Sequence, residues 1–137
     1  TPDDVEAAVD AGAKFGVSPG ATPRLVAACE AAGLPLLAGA SSATEAMLML
    51  ERGYDFLKFF PAEASGGAPA LKAIGAPLPQ ISFCPTGGVS PSNAASYLSL
   101  PNVLCAGGSW VAPGDLVSTN AWDEIEALAR EAAKLER

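Results

Sequence analysis

The chain has 137 residues, of which 50% are apolar, and it carries a formal net charge of -7. This length suffices for one domain with a hydrophobic core, and an acidic chain without basic runs argues against nucleic acid or an anionic membrane surface as a partner. Its 3 cysteines are widely separated and it has 0 histidines, so a zinc site, a Cys/His pair and a Ser/His/Asp triad lack the side chains they need.

Strands and helices are predicted to alternate five times along the chain. Thr-Pro pairs at 1–2 and 22–23 are typical helix starts, because a hydroxyl caps the first turn and proline suits its first position. The predicted strands are 13–17, 34–37, the segment around Lys58 that ends at Phe60, 81–84 and 103–106. The predicted helices run over about 2–11, 22–33, 42–53, 68–74, 90–98 and 122–135.

Two glutamates are expected to have structural or solvated roles. Ser42 and Glu45 have the spacing of a capping box, which favours a cap over a catalytic acid for Glu45. Glu63, in the segment that follows Lys58, is expected to be a solvated loop carboxylate. The buried face of the helix after Ser42 is predicted to comprise Met47, Leu48 and Leu50.

The strand ends fall roughly 20–24 residues apart, which is the spacing of βα units whose helices cross back to begin a parallel neighbour. An open doubly wound sheet and a (β/α) barrel both fit, and five units fall short of a complete barrel, which needs about 200 residues or more. Residues 1–137 are predicted to form one domain. Because the chain begins with Thr1 directly at a helix start, an N-terminal portion is expected to be missing.

The segment FLKFFPAEASGG, residues 56–67, carries the most informative pattern. Because strand side chains alternate between faces, Lys58 should share one face with Phe56 and Phe60. Burial among such neighbours lowers the pKa of a lysine and leaves free amine that can attack a carbonyl, as a Schiff base requires. The alternative is a lysine whose stem covers apolar surface while its charge stays in water.

Two glycine-bearing strand ends are candidates for binding an anion. Thr86-Gly87-Gly88 and Gly107-Gly108-Ser109 end consecutive predicted strands and should lie side by side in a parallel sheet. Glycines expose backbone N–H groups and hydroxyls add donors, and paired sites after the last two strands commonly hold phosphate in (β/α) barrels. Tight turns are the alternative explanation for these glycines.

Several long motifs, in order, resemble those of the 2-keto-3-deoxy-6-phosphogluconate (KDPG) and 4-hydroxy-2-oxoglutarate (KHG) aldolases. They are GAKFGVSPG, LLAGASSATEAM, FLKFFPAEASGG and FCPTGGVSPSNAASYLSLPNVLCAGGSW. The resemblance implies a (β/α)₈ TIM-type barrel, of which this chain supplies five of eight strands, in a cytoplasmic homotrimer. It also implies class I cleavage of KDPG to pyruvate and glyceraldehyde 3-phosphate without metal or cofactor, with KHG as a further substrate.

By the same resemblance, Lys58 matches the family's Schiff-base lysine, whose imine accepts the electrons of the broken carbon–carbon bond. The family's proton-shuttling glutamate, a carboxylate-binding arginine and a threonine precede Thr1, and neither Glu45 nor Glu63 matches that glutamate. The positions that match the substrate and phosphate side are Thr86, Gly87, Gly88, Gly108 and Ser109. Pro19 and Phe60 match residues that line the pocket around the imine.

Two other functional hypotheses fit the sequence. One is a catalytically inactive truncated fragment that retains phosphate binding at the glycine turns. The other is an open-sheet α/β module of unrelated function, since fold alone does not fix function. The choice between gluconate- and galactonate-derived substrates is left open.

Overall fold

The structure is a computed structural model that describes residues 1–135. Short strands alternate with helices along the chain, as the sequence predicts. The strands are β1 (Gly16–Val17), β2 (Leu36–Leu37), β3 (Gly39–Ala40), β4 (Phe56–Phe59) and β5 (Ser82–Pro85). The helices are α1 (Pro2–Asp10), α2 (Pro23–Ala32), α3 (Ala43–Leu50), α4 (Gly67–Gly75), α5 (Ala94–Leu98), α6 (Gly114–Ser118) and α7 (Trp122–Ala132), with a 3₁₀ turn at Ser109–Val111.

The strands lie side by side in chain order and run parallel. β1 pairs with β2, and β3, β4 and β5 form a second sheet in that order. Only Ala38 separates β2 from β3, so one extended segment contributes to both sheets. Beyond β5, isolated parallel bridges join Phe83 to Val103 and Thr86 to Gly107. This order of neighbours is the one found in the wall of a (β/α) barrel.

The prediction of a regular strand over 103–106 is wrong, because this segment forms only isolated bridges. Between the two bridges the pairing shifts by one residue, because Phe83 meets Val103 whereas Thr86 meets Gly107. An extra residue on one side of a ladder interrupts regular pairing, as in a β-bulge. The segment still follows β5, since the N–H of Leu104 donates to the carbonyl of Phe83 at 3.1 Å.

The hydrophobic core lies between one face of the sheet and the helices. Leu57 and Phe59 of β4 and Phe83 of β5 are buried on this face. Helix side chains that pack in the same core are Val26, Cys29, Ala46, Met49, Leu71 and Tyr97. The opposite face is more open: Val17 is 51% exposed, and Lys58 is partly exposed.

Capping residues set the helix starts. Thr1 and Asp4 form a capping box at α1, and the hydroxyl of Thr22 accepts the N–H of Leu25 at α2. The predicted cap role of Glu45 is confirmed, because one carboxylate oxygen accepts the N–H of Ser41 at 2.8 Å and that of Ser42 at 2.9 Å. These bonds, with the Ser41 amide first, hold the pKa of Glu45 below its usual value.

The buried face predicted for α3 is wrong at two positions. Met47 is 50% exposed and Leu48 is 56% exposed, whereas Ala46 and Met49 are buried and Leu50 packs partly against the core. Positions 46, 49 and 50 form one helix face. The run AMLML is apolar all round the helix, so the pattern did not distinguish the core face from its opposite.

No helix among residues 1–135 combines the length and hydropathy needed to cross a lipid bilayer.

Candidate active site

Lys58 lies near the carboxyl end of β4, on the face opposite to the buried Leu57 and Phe59. Its Nζ atom is 4.6 Å from the centroid of the Phe60 ring, within the range of a cation–π contact. The strand register aligns it with Gly39 of β3 and with Cys84 of β5. Lys58 as a residue is partly buried, so the burial expected from the sequence is incomplete.

The loop after β1 reaches this same edge of the sheet. A Cβ atom at Gly39 would lie 2.2 Å from the carbonyl oxygen of Pro19, so only glycine permits this approach. Gly39 is also the residue of β3 that pairs with Lys58. The structure therefore places Pro19 against the strand adjacent to that of the lysine.

The turn Thr86–Gly88 follows β5 and contacts the segment after Lys58. Gly87 and Gly88 have φ angles of 96° and 79°, the left-handed region that favours glycine. A Cβ at Gly87 would lie 3.2 Å from the Phe60 ring, and one at Gly88 would lie 2.6 Å from Cγ of Glu63. Phe60 thus contacts both the amine of Lys58 and this turn.

The second glycine turn lies beside the first, as a parallel sheet requires. Gly107 bridges to Thr86, and its N–H donates to the carbonyl of Pro85 at 2.9 Å. The ring of Trp110 covers Gly108, and Ser109 begins the 3₁₀ turn. The predicted juxtaposition of the two turns is confirmed, and every predicted site residue lies at this edge of the sheet.

Three of the N–H groups in these two turns lack an acceptor among the described residues. Within residues 1–135, the N–H groups of Gly87, Gly88 and Gly108 donate to no protein acceptor. Backbone N–H groups of this kind, grouped at a turn, can cradle an oxyanion. The same edge of the sheet therefore carries an amine and unpaired donors.

A thiol is the nearest ionisable neighbour of Lys58 on β5. Burial raises the pKa of the Cys84 thiol to about 11, with the adjacent Cys105 thiol contributing in the same direction and Lys58 opposing it. Cys84 is therefore protonated at neutral pH.

The contact between Glu63 and Tyr97 is one that sequence reasoning missed. The side chain of Glu63 is exposed, as a loop carboxylate should be, but Oε1 accepts a hydrogen bond from the hydroxyl of Tyr97, which is 0% exposed. Burial, followed by this hydrogen bond, raises the pKa of Tyr97. The two residues are 34 positions apart, so no local spacing could have linked them.

A family model described as KDPG and KHG aldolase matches residues 1–128. The chain belongs to this aldolase family. The curated 2-dehydro-3-deoxy-phosphogluconate aldolase of Pseudoalteromonas atlantica is 56% identical over 129 residues, and the KHG/KDPG aldolase of Escherichia coli K12 is 47% identical over 133 residues. These matches cover 94% and 97% of this chain but 59% and 62% of the relatives, so the chain spans less than two thirds of either.

Solved KDPG aldolase structures share the fold. The enzyme of Legionella pneumophila, with pyruvate captured as a covalent carbinolamine, matches 96% of this chain at 45% identity and a TM-score of 0.92. The enzyme of Zymomonas mobilis ZM4, with 3-phosphoglycerate, matches 100% at 43% identity and a TM-score of 0.90. The chain covers 64% of each. The predicted family and α/β class are thus confirmed, and the partial parallel sheets are consistent with an incomplete barrel.

Proposed function

We propose that Lys58 is the Schiff-base lysine of a class I aldolase site that cleaves KDPG to pyruvate and glyceraldehyde 3-phosphate. The observation that carries this proposal is that Lys58 and the two glycine turns lie at one edge of the sheet, where the N–H groups of Gly87, Gly88 and Gly108 are unpaired among residues 1–135. An amine can react with the carbonyl at one end of a substrate while the unpaired N–H groups bind a phosphate at its other end. The captured carbinolamine of the Legionella enzyme supports it, because an amine adding to a carbonyl forms such an adduct.

The chemistry begins with the neutral amine of Lys58. It adds to the C2 carbonyl, and loss of water gives an iminium ion. The electron pair of the C3–C4 bond then moves into the iminium, while the C4 hydroxyl loses its proton and becomes the aldehyde of glyceraldehyde 3-phosphate. The remaining enamine is protonated at C3, and water releases pyruvate and free Lys58.

The phosphate end is assigned to the two turns. Thr86 and Ser109 supply hydroxyls, and Gly87, Gly88 and Gly108 supply backbone N–H groups. Neutral donors of this kind bind a phosphate without a cluster of basic side chains, which suits a chain of net charge -7. The 3-phosphoglycerate in the Zymomonas enzyme, itself a phosphorylated acid, supports a phosphate subsite. Pro19 and Phe60 are proposed to line the space around the imine.

The proton steps need a base other than the glutamates near this edge. The carboxylate of Glu45 is engaged by the backbone of Ser41 and Ser42. That of Glu63 accepts the Tyr97 hydroxyl. Neither has the form of a free carboxylate next to Lys58, in keeping with the sequence expectation that the family's proton-shuttling glutamate lies elsewhere.

Reductive trapping tests the proposal directly. The purified protein is incubated with pyruvate and borohydride, which reduces an imine to a stable secondary amine, and its peptides are analysed by mass spectrometry. We expect pyruvate-derived mass on the peptide that contains Lys58. Lys72, an exposed lysine of α4, is the internal control and should stay unmodified.

A Lys58→Ala variant should lose both the trapped product and aldol cleavage. Modification of Lys72 instead of Lys58, or full cleavage activity in Lys58→Ala, would contradict the assignment. Phosphate binding without trapping at Lys58 would favour the inactive-fragment hypothesis.

A further inference from the structure

Backbone hydrogen bonds join the segment after Lys58 to the turn Thr86–Gly88, which is the proposed phosphate side of the site. The N–H of Ala62 donates to the carbonyl of Thr86 at 2.8 Å, and that of Glu63 donates to the carbonyl of Gly87 at 3.1 Å. This segment thereby occupies the carbonyls of Thr86 and Gly87. In the turn itself, the N–H groups of Gly87 and Gly88 stay unpaired among the described residues and can bind a ligand.

Glu63 also holds the turn with its side chain. Its Cβ and Cγ lie so close to Gly88 that an added methyl group there would approach within 2.7 Å and 2.6 Å of them. The carboxylate accepts the hydroxyl of Tyr97, which is fixed in the core through α5. On the other side, the side-chain amide of Asn93 donates to the carbonyl of Gly88 at 3.0 Å. The turn is therefore held between two side chains.

The charge of Glu63 is compensated locally. A Cβ at Gly67, the first residue of α4, would lie 3.5 Å from Oε1 of Glu63, so the carboxylate sits at the start of that helix. A helix N-terminus favours a negative charge. The carboxylate thus has partners of its own, the Tyr97 hydroxyl and the start of α4, beside the proposed phosphate site.

We propose that Glu63, through its bond to Tyr97, is a positioning residue for the phosphate end of the substrate: it holds the turn Thr86–Gly88 at a fixed place relative to Lys58. This inference rests on the proposed function. It assigns Glu63 no contact with the reacting atoms, so its removal should weaken recognition of the phosphate while the chemistry at the imine continues.

The test compares a phosphorylated with an unphosphorylated 2-keto acid. Glu63→Ala should raise KM for KDPG about tenfold while changing kcat by less than about twofold, and should change KM for KHG by less than about twofold. Glu63→Gln keeps an oxygen that accepts the Tyr97 hydroxyl and should stay within about twofold of the parent on both substrates. Glu6→Ala, an exposed glutamate of α1, is the matched control.

Tyr97→Phe tests the route through which Glu63 acts. It should raise KM for KDPG in the same direction, and combining it with Glu63→Ala should add little, because both changes break one hydrogen bond. Equal effects of Glu63→Ala on both substrates, no effect on either, or failure of Glu63→Gln to restore KM for KDPG would each overturn the proposal.

Binding of inorganic phosphate, measured by calorimetry, separates this inference from the proposed function. If the parent traps no pyruvate at Lys58, the aldolase assignment fails, and phosphate binding decides the inference alone. Phosphate binding about tenfold weaker in Glu63→Ala than in Glu63→Gln supports it. Equal binding, or no binding by the parent, overturns it.

Discussion

Gly88 is the residue at which backbone conformation and packing impose the same requirement. Its φ of 79° disfavours any side chain, and Glu63 occupies the space where a Cβ would be. Two independent reasons for glycine at one position indicate a turn with one conformation. A turn of this kind presents its N–H groups ready to bind, with little ordering left to do.

Gly88→Ala should therefore destabilise the fold by about 1–3 kcal/mol, because alanine is strained at positive φ and meets Glu63. Urea unfolding measures the change. Gly114→Ala is the control, since no atom lies within 4 Å of a Cβ there and its φ is not in the left-handed region. We expect the control to stay within about 0.5 kcal/mol of the parent. If Gly114→Ala lowers the free energy of unfolding as much as Gly88→Ala does, the steric argument is contradicted.

Among the elements, those with local chemical signals were predictable. The Thr-Pro starts of α1 and α2 and the Ser42–Glu45 box of α3 depend on residues at most three positions apart, so the sequence reveals them. The orientation of α3 and the interrupted ladder after Val103 depend on packing and register between distant segments. The Glu63–Tyr97 bond has the same origin, since it forms only once α5 packs beside the loop after β4.

The capping box of α3 gives a prediction with a pH dependence. Glu45→Ala should lower the free energy of unfolding by about 0.5–2 kcal/mol at pH 7. The pKa of Glu45 is lowered in the folded chain, so the ionised carboxylate stabilises the fold fully above the usual pKa of a glutamate, and this contribution is lost as the pH falls through the lower folded value.

The difference between Glu45→Ala and the parent should accordingly shrink as the pH falls below about 4. Urea unfolding at pH 7 and pH 3 checks it. Thr44→Ala, in the same turn, is the control and should show no such pH dependence. If the loss of unfolding free energy in Glu45→Ala is the same at both pH values, the ionised carboxylate is not what stabilises the start of α3.

At the scale of the whole molecule, apolar surface remains on the open face and on α7. Phe15 is 62% exposed, Leu104 is 47% exposed and Trp122 is 58% exposed. Contiguous exposed apolar patches mark surfaces that associate with other protein segments, whereas apolar side chains exposed singly are normal. A single domain over 1–137 and a homotrimer stay predictions, and residues 136–137 of that range lie outside the described part of the chain.

Native mass spectrometry of the purified protein tests the assembly. We expect a mass of three subunits at micromolar concentration, with burial of apolar surface in the contacts as the driving force. Size-exclusion chromatography at several dilutions is the control for nonspecific association, because aggregates give a distribution of sizes whereas a closed trimer gives one species. A monomer at all concentrations would contradict the prediction.

The pairing of strands that are consecutive in the chain, within each of the two sheets, also has a kinetic consequence. Every βα unit can dock on the unit made just before it, so each step closes a loop of only one unit, and the entropy lost in that closure is small. Such a wall can be extended from its N-terminal end while the polypeptide is still leaving the ribosome. The sheet order β3-β4-β5 thus favours assembly in the direction of synthesis, with each finished strand serving as the template for its successor.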